Sequence, residues 1–367
     1  MTRVVTFFAR RVVAAIFTLL AMITITFAIF WLIPSEPAHF LYPFAQVLNN
    51  YEVHRANHLF GLDQSKIVQW WHYVSHIARG DFGHQWGGVQ VNGDQSVTLV
   101  PISPGLYAAT RVTLSIMLGG AVLVLLLALP LGALAARYQN SIGDRLLGFL
   151  TLLAICTHPM VVGLILRTVF VNKLGWIGSD GYCTFGHHPV PPSVDAGLGP
   201  TPCAGGPLPW AEHLILPWIS FALLFLALYV RMSRASVLDV LYEDFVRTAR
   251  AKGASETRVL GRHVLPNAGI RVLTMIGMEI STAIGIAVYI EAAFEMHGLA
   301  RMAVDAFSGA AGLDLPVILA VVTMITVIVI VGNLVVDLLY AVLDPRVGGA
   351  TMRMRRSAET PEPAVVS

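Results

Sequence analysis

Residues 12–35 run between Arg11 and Glu36 without a charged side chain, and equally uncharged stretches recur at 112–136, 146–166 and 315–336. A helix needs about 20 mostly apolar residues to cross a hydrocarbon core of roughly 30 Å, and a soluble core does not require uninterrupted runs of that length. Two further stretches complete the pattern. Residues 214–230 are shorter but extend into flanking apolar positions, and 272–294 is rich in Met, Ile, Ala and Val yet carries Glu279 and Glu291. Composition agrees: 56% of the 367 residues are hydrophobic and 13% charged, against about 25% charged in an average soluble domain. The expectation is an all-α, polytopic membrane protein with six transmembrane helices.

Basic residues near membrane ends are retained in the cytoplasm, so their distribution orients the spans. With the N-terminus inside, the cytoplasmic segments hold Arg3, Arg10 and Arg11, then Arg137 and Arg145, then eight Lys and Arg between Arg231 and Arg271, then Arg346, Arg353, Arg355 and Arg356. The opposite loops, longer in total, hold Arg55, Lys66, Arg79, Lys173 and Arg301. Both termini are therefore expected in the cytoplasm. The first apolar run is longer than the 7–15 residues of a signal-peptide core, so it reads as an uncleaved helix. The first external loop is long enough for small helices of its own. The second is rich in Pro and Gly over 190–209 and reads as irregular, and the third is short. The polar tail after Arg356 has the composition of a disordered segment.

Net charge is only +2, so no nucleic-acid partner is indicated. Three cysteines exclude a disulfide-rich scaffold. Cys183 and Cys203 both fall in the second external loop, an oxidising location in this topology, and are candidates for a disulfide that stiffens it, two isolated thiols being the alternative. Histidine pairs at His54/His58 and His72/His76 have helical i,i+4 spacing, and His187 and His188 are adjacent. No carboxylate or cysteine completes a metal set at a recognisable spacing, so no metal site is assigned. Glu279 falls near the middle of a span, where a charge costs about 2.5–3.5 kcal/mol on insertion scales. It is a candidate for the translocation path, a structural hydrogen bond to a neighbouring helix being the alternative. Pro130, Pro159 and Pro217 lie within spans and could kink them.

The most informative segment is the cytoplasmic loop at 233–271. Residues 236–268 read as a helix, a glycine turn and a second short helix. Ser236 can cap the first helix, with Asp239 in its first turn. Leu238, Leu241 or Tyr242, Phe245 and Ala249 make an apolar face, and Glu243 and Arg247 stand at i,i+4. Gly253 can supply a left-handed C-terminal turn, Ser255 can start the next helix, and Pro266 ends it. A solvated amphipathic loop, a membrane-surface helix and a partner-docking element all fit this pattern alone.

The stretch DFVRTARAKG (244–253) with RHVLPNA (262–268) resembles the coupling loop of inner-membrane permeases of ATP-binding-cassette importers, whose pattern is Glu-Ala-Ala, three residues, Gly, nine residues, Ile, any residue, Leu-Pro. Arg247, Thr248 and Ala249 stand at the first three positions, followed by Gly253, and His263, Leu265 and Pro266 close the pattern. The departures at the first two positions and at the Ile are similar to the dipeptide, oligopeptide and nickel branch. The likeness extends along the chain: WLIPSEPA (31–38), FGLDQS (60–65), ARGDFGHQW (78–86), ATRVTLSIML (109–118) and NLVVDLLYAVLDPRV (333–347) resemble family stretches. IEAAFEMHGLARM (290–302) replaces a stretch that usually contains Pro-Gly-Leu-Gly.

The resemblance implies the first of two paralogous permeases in a peptide-type importer, with the type I (MetI-like) permease fold, in the plasma membrane of a prokaryote. It also implies a second permease subunit, two ABC ATPase subunits that bind ATP and Mg, and an extracytoplasmic solute-binding protein, all in membrane lipid. No GxxxxGK[ST] phosphate loop occurs in the chain, so hydrolysis is expected in the partners, with no catalytic residue and no cofactor here. The coupling residues it implies are Asp244, Arg247, Ala249, Gly253, Ala254, Arg258, Leu265 and Pro266. The expected organisation is an N-terminal end and first helix at 1–35, an external loop at 36–110, a five-helix core at 111–347 with an external loop at 172–212, and a tail at 348–367. A nickel-complex or glutathione importer is the alternative within the family. A stand-alone secondary transporter would show inverted repeats, and none is evident. A membrane-embedded enzyme would need a catalytic set that His158, Cys156 and Glu279 do not form.

Overall fold

A computed structural model describes residues 2–32, 37–42, 48–87, 90–91, 97–175, 181–186, 206–308 and 313–343. The Pro- and Gly-rich stretch at 190–205, His187, His188, Cys203 and the tail at 348–367 lie outside these residues.

The uncharged runs fold as long helices. Helix α1 spans Thr2–Leu32, α5 Ile102–Arg137, α8 Pro207–Leu241, α11 Leu265–Ala293 and α13 Leu315–Leu343. Four of them, α1 (over Phe8–Phe30), α5, α8 and α13 (over Leu315–Leu338), are long and apolar enough to cross a membrane. The run at 146–166 behaves differently. It forms α6 (Ile142–Cys156) and α7 (Pro159–Leu166), bent by 104° at Thr157 and His158. The cause is local: the residue before a proline is pushed out of the helical region, His158 is extended at ψ 136°, and Pro159 opens α7, where its missing N–H costs nothing. A π-helical turn, Arg167–Lys173, follows. Pro130 and Pro217 by contrast sit inside continuous helices. Taken with the bent pair as one span and the 29-residue α11, these elements agree with six spans.

The core is built on α5 against α8. Glycines let the two backbones approach: a Cβ at Gly120 would lie 2.4 Å from Phe221, and one at Gly132 2.4 Å from Ser233. Small residues at such a seam permit the close packing that holds membrane helices together. Helices α11 and α13 close around this pair, burying Val112, Ile116, Phe221, Phe225, Ile290 and Met296. Helix α1 lies against α13, where Arg11 pairs with Asp337 at 3.0 Å. Its outward side chains Ile16, Phe17 and Ile25 are more than half exposed, as suits a lipid-facing surface.

Between α1 and α5 the chain forms α2 (Ala38–Leu41), α3 (Asn50–Leu59), α4 (Lys66–Ile77) and a two-residue antiparallel ladder of β1 (Gln90–Val91) and β2 (Val97–Thr98). A capping box joins Asn49 and Glu52 at the start of α3. The ARGDFG stretch becomes a turn with Gly80 and Gly83 both at φ +78°. Asp81 accepts from the Gly83 N–H at 2.9 Å and faces His76 Nδ1 at 3.1 Å. The backbone bond, followed by the imidazole, holds its carboxyl below the usual range. Buried Trp86 packs against Phe40 and Phe60. The Gly87 N–H donates to Asp314 at 2.7 Å, which joins this segment to the start of α13. The third connection is not a bare loop. It contains α12, Leu299–Ser308, because Leu299, Ala300 and Ala306 have an apolar face to bury.

Candidate functional site

The segment singled out by its motif folds as a helical hairpin on one end of the bundle. Helix α9 covers Asp244–Ala251, α10 covers Glu256–Val259, and a π-helical turn, Leu260–Val264, leads into α11. Val246, Val259 and Val264 are fully buried against Val237 and Val240 of α8, Ala133 and Ala136 of α5 and Ala268 of α11. Each buried valine contributes roughly 2 kcal/mol relative to exposure, so the hairpin is seated on three helix ends at once. Its other face carries Asp244, Arg247, Gly253 and Arg258, all exposed, and Phe245, which is 43% exposed.

The turn between α9 and α10 is a Schellman motif. The Gly253 N–H donates to Arg250 O at 2.9 Å and the Ala254 N–H to Ala249 O at 3.2 Å, with Gly253 at φ +80°. Ala249 and Ala254, the residues that make the apolar contact of this motif, are both half-buried in the hairpin cluster. A Cβ on Gly253 would meet nothing within 4 Å. The requirement for glycine within this chain is therefore the left-handed backbone, not room. Arg250 closes the hairpin with a forked pair to Glu256, at 2.8 and 3.2 Å.

Several local readings are corrected. Ser236 does not cap a helix: α8 continues through it to Leu241, and Ser236 is buried. The next helix, α9, starts instead at Asp244, after extended Glu243. That break moves the apolar face from Tyr242 and Phe245, which are exposed, to Val246. It also makes Glu243 the N-cap, its carbonyl accepting the Arg247 N–H at 3.3 Å, and among the described residues the hairpin ion pair is Arg250–Glu256. Pro266 does not end a helix. It stands in the first turn of α11, where proline is tolerated, and Leu265 is half-buried beside it.

Sequence reading missed what fastens this end. Arg234 of α8 makes a forked pair with Asp144 of α6, at 2.9 and 2.8 Å, while Asp144 also accepts from the Asn140 N–H. The partners are 90 residues apart and carry no local signal.

Within the bundle, Glu279 of α11 is half-buried and lies on two cavities. One, of about 530 Å³, is lined by Met117, Phe221, Tyr229, Glu279, Met324 and Ile328 among others. The other, of about 430 Å³, is lined by Cys156, His158, Phe225, Glu279 and Thr282 among others. Among the described residues, Glu279 is the one Asp, Glu, Lys or Arg on either wall.

The second carboxylate of α11, Glu291, is buried at 1% exposure. It accepts from the Thr113 hydroxyl and from the N–H groups of Ala300 and Arg301 in the first turn of α12. Thr113 in turn accepts from the Leu299 N–H at 2.9 Å. A carboxylate at a helix N-terminus satisfies orphan donors and opposes the dipole. Gly298 is required beside it, since a Cβ there would fall 2.1 Å from Glu291 Oε1. The HGLARM departure thus keeps the glycine and gives it a structural reason. Arg167, at the start of the π-helical turn after α7, pairs with Glu295 at 2.9 Å and donates to Ala293 O at 3.1 Å.

Of the candidate disulfide, Cys183 is fully buried and Cys203 lies outside the described residues; Cys156 is free and exposed. His72 and His76 face each other edge-on at 6.1 Å between ring centroids. Among the described residues no group of three His, Cys, Asp or Glu could hold a metal ion.

Two family models match the chain. A binding-protein-dependent transport system inner membrane component covers residues 128–349, and the N-terminal part of such a membrane component covers 4–91. The chain is 32% identical over 341 residues to the glutathione transport system permease protein GsiC of Salmonella typhimurium, covering 92% of this chain and 97% of that one. It is 31% identical to the probable peptide ABC transporter permease protein y4tP of Sinorhizobium fredii, covering 92% and 97%. It is also 31% identical to the oligopeptide transport system permease protein AppB of Bacillus subtilis, covering 92% and 98%.

Proposed function

The chain belongs to the family of binding-protein-dependent transport system inner membrane components, and from that premise we propose that it is the subunit through which ATPase closure is converted into import of a peptide or peptide-like solute. The observation that carries this reading is the hairpin at 244–264. Its apolar side is seated on α5, α8 and α11, while Phe245, Arg247 and Arg258 stand outward. An element with that anchoring moves as one body with three helix ends, so a force applied to its outer face reorients the spans. The outer face, with Asp244, Arg247, Gly253 and Arg258, is the ATPase contact. Ala249, Ala254, Leu265 and Pro266 hold its shape.

In this reading the hairpin end is cytoplasmic, both termini with it, and the assembled importer contains a second permease, two ATPases that bind ATP and Mg, and an extracytoplasmic binding protein. The domain boundaries at 35, 110 and 347 follow from the same topology. Glu279, the carboxylate shared by two membrane-depth cavities, lies on the solute path and faces the positively charged end of a peptide. Glu279→Gln should lower uptake of peptides with a free amino terminus while leaving assembly intact; unchanged uptake would remove it from the path. GsiC is named for glutathione and AppB for oligopeptides, and a small peptide with a free carboxylate and amine is common to both. The test is purification of the tagged chain from its own membranes, followed by reconstitution and uptake of a panel of di-, tri- and oligopeptides, glutathione and nickel chelates. Co-purification of two ATPases and a second permease, with uptake of peptides alone, is the expected result. Uptake by the chain without ATPases would contradict it.

A further inference from the structure

At the end of the bundle opposite the hairpin, a cavity of about 640 Å³ opens between α1, α4 and the start of α13. Its floor is apolar: Phe27 and Phe30 of α1, and Leu315, Pro316 and Leu319 of α13. The segment between α1 and α5 lines the rest with Lys66, His72, His76 and His84, the Asn57 amide and the apolar Phe60, Leu62, Phe82 and Trp86. Among the described residues no carboxylate belongs to the lining; the nearby Asp81 is engaged by His76 and the Gly83 N–H. Lys66 is half-buried and makes no ion pair among the described residues. It also opens α4, a position where the helix dipole disfavours a cation, so the helix itself does not account for it.

The depth of this cavity follows from the bonds of α4. Trp70 Nε1 donates to Thr24 Oγ1 at 3.2 Å and Tyr73 shares a hydrogen bond with Thr323 at 3.1 Å. Both threonines lie eight residues inside the ends of α1 and α13, about 12 Å at the helical rise of about 1.5 Å per residue. Helix α4 therefore lies alongside the ends of two apolar spans, and it leaves Ile67 80% and Trp71 63% exposed. An amphipathic helix with outward Trp and Ile at that depth lies in the membrane interface. The cavity behind it joins apolar side chains of two span ends, none more than five residues from the end, to Lys66 and the histidines of the segment between α1 and α5.

We propose that this cavity binds an anionic phospholipid, its phosphate held by Lys66 with the histidines and its acyl chains on the Phe27, Phe30 and Leu319 floor. The shared chemistry is a phosphate ester anion; the floor selects the lipid over a soluble phosphate. The bound lipid fills the gap between α1, α4 and α13 and ties the segment preceding α5 to the bundle.

The experiment is native mass spectrometry of the intact, delipidated chain titrated with dioleoyl-phosphatidylglycerol, dioleoyl-phosphatidylcholine or glycerol phosphate. The expected result is preferential retention of phosphatidylglycerol, weakened about fivefold by Lys66→Gln, the effect of about one basic residue near an anionic surface. Lys66→Arg should keep the preference, and adding His72→Gln to Lys66→Gln should weaken it further. Leu319→Trp, which fills the floor and leaves the basic wall in place, gives an independent variant and should also reduce lipid retention. Equal binding of the two phospholipids, equal binding of glycerol phosphate, or a preference untouched by both Lys66→Gln and Leu319→Trp would overturn the proposal.

Discussion

Gly253 is the sharpest test of how the hairpin works, because its structure separates two explanations for a glycine. The residue sits at φ +80° and a Cβ there would meet no atom of this chain within 4 Å. An L-residue in this left-handed conformation costs about 1–2 kcal/mol, and Asn tolerates it better. That cost corresponds to about a 5- to 30-fold loss of the formed turn relative to alternatives. A series Gly253→Asn, Gly253→Ala and Gly253→Val should therefore lower ATP hydrolysis coupled to transport in that order, with Asn close to the parent and Val, whose branched Cβ is least compatible, most impaired. Melting of the bundle should hardly change, since the turn is exposed and the buried valines are untouched. The assay is substrate-stimulated ATPase activity of the reconstituted importer, with melting temperature measured in parallel. If Asn were as damaging as Val, a partner pressing on bare glycine would be the cause and the backbone argument would fail. Parent-like activity of all three would refute a role for the turn.

Further outcomes follow from single contacts. Thr113→Val removes the hydroxyl that donates to Glu291 and accepts from Leu299; it should cost roughly 1–3 kcal/mol, read as a lowered melting temperature, and a neutral result would mean that the capping of α12 contributes little. Asp81 has a depressed folded-state pKa, so its stabilisation is present above about pH 4 and is lost as pH falls through the folded value. The melting advantage of the parent over Asp81→Asn should accordingly shrink below pH 4, and a constant difference from pH 7 to pH 3 would contradict this. If Cys183 and Cys203 are bridged, the unfolded, unreduced chain should alkylate at Cys156 alone and at all three cysteines after reduction; three labels without reductant would disprove the bridge.

The spans could be read from sequence because lipid offers the backbone no partner and so demands long helical apolar runs. The bend at His158 was present only as a proline inside such a run, and proline alone does not decide between the accommodated Pro217 and the break at Pro159. The glycine and the Leu-Pro pair mark the hairpin in the sequence, but the apolar pattern does not mark its inner face. Ser236 can cap or be buried, and the choice depends on Val237 and Val240 meeting Ala133 and Ala136 of α5, far away in sequence. The Arg234–Asp144 pair and the capping of α12 by Glu291 are likewise tertiary facts. Glu291 stands out in the sequence as a charge in an apolar run, and its role rests on Thr113, 178 residues earlier.

Cross-linking tests the proposed contact between the outer face of the hairpin and the ATPases most directly. Cysteine or photo-reactive groups placed at Arg258, with a control at Arg301 on α12, can be tested for cross-linking in the co-purified complex with and without ATP. Position 258 should cross-link to an ATPase subunit with a yield that changes with nucleotide, and position 301 should give no such product. A 258 variant that assembles yet cross-links to no ATPase, or an ATPase product from 301, would contradict it.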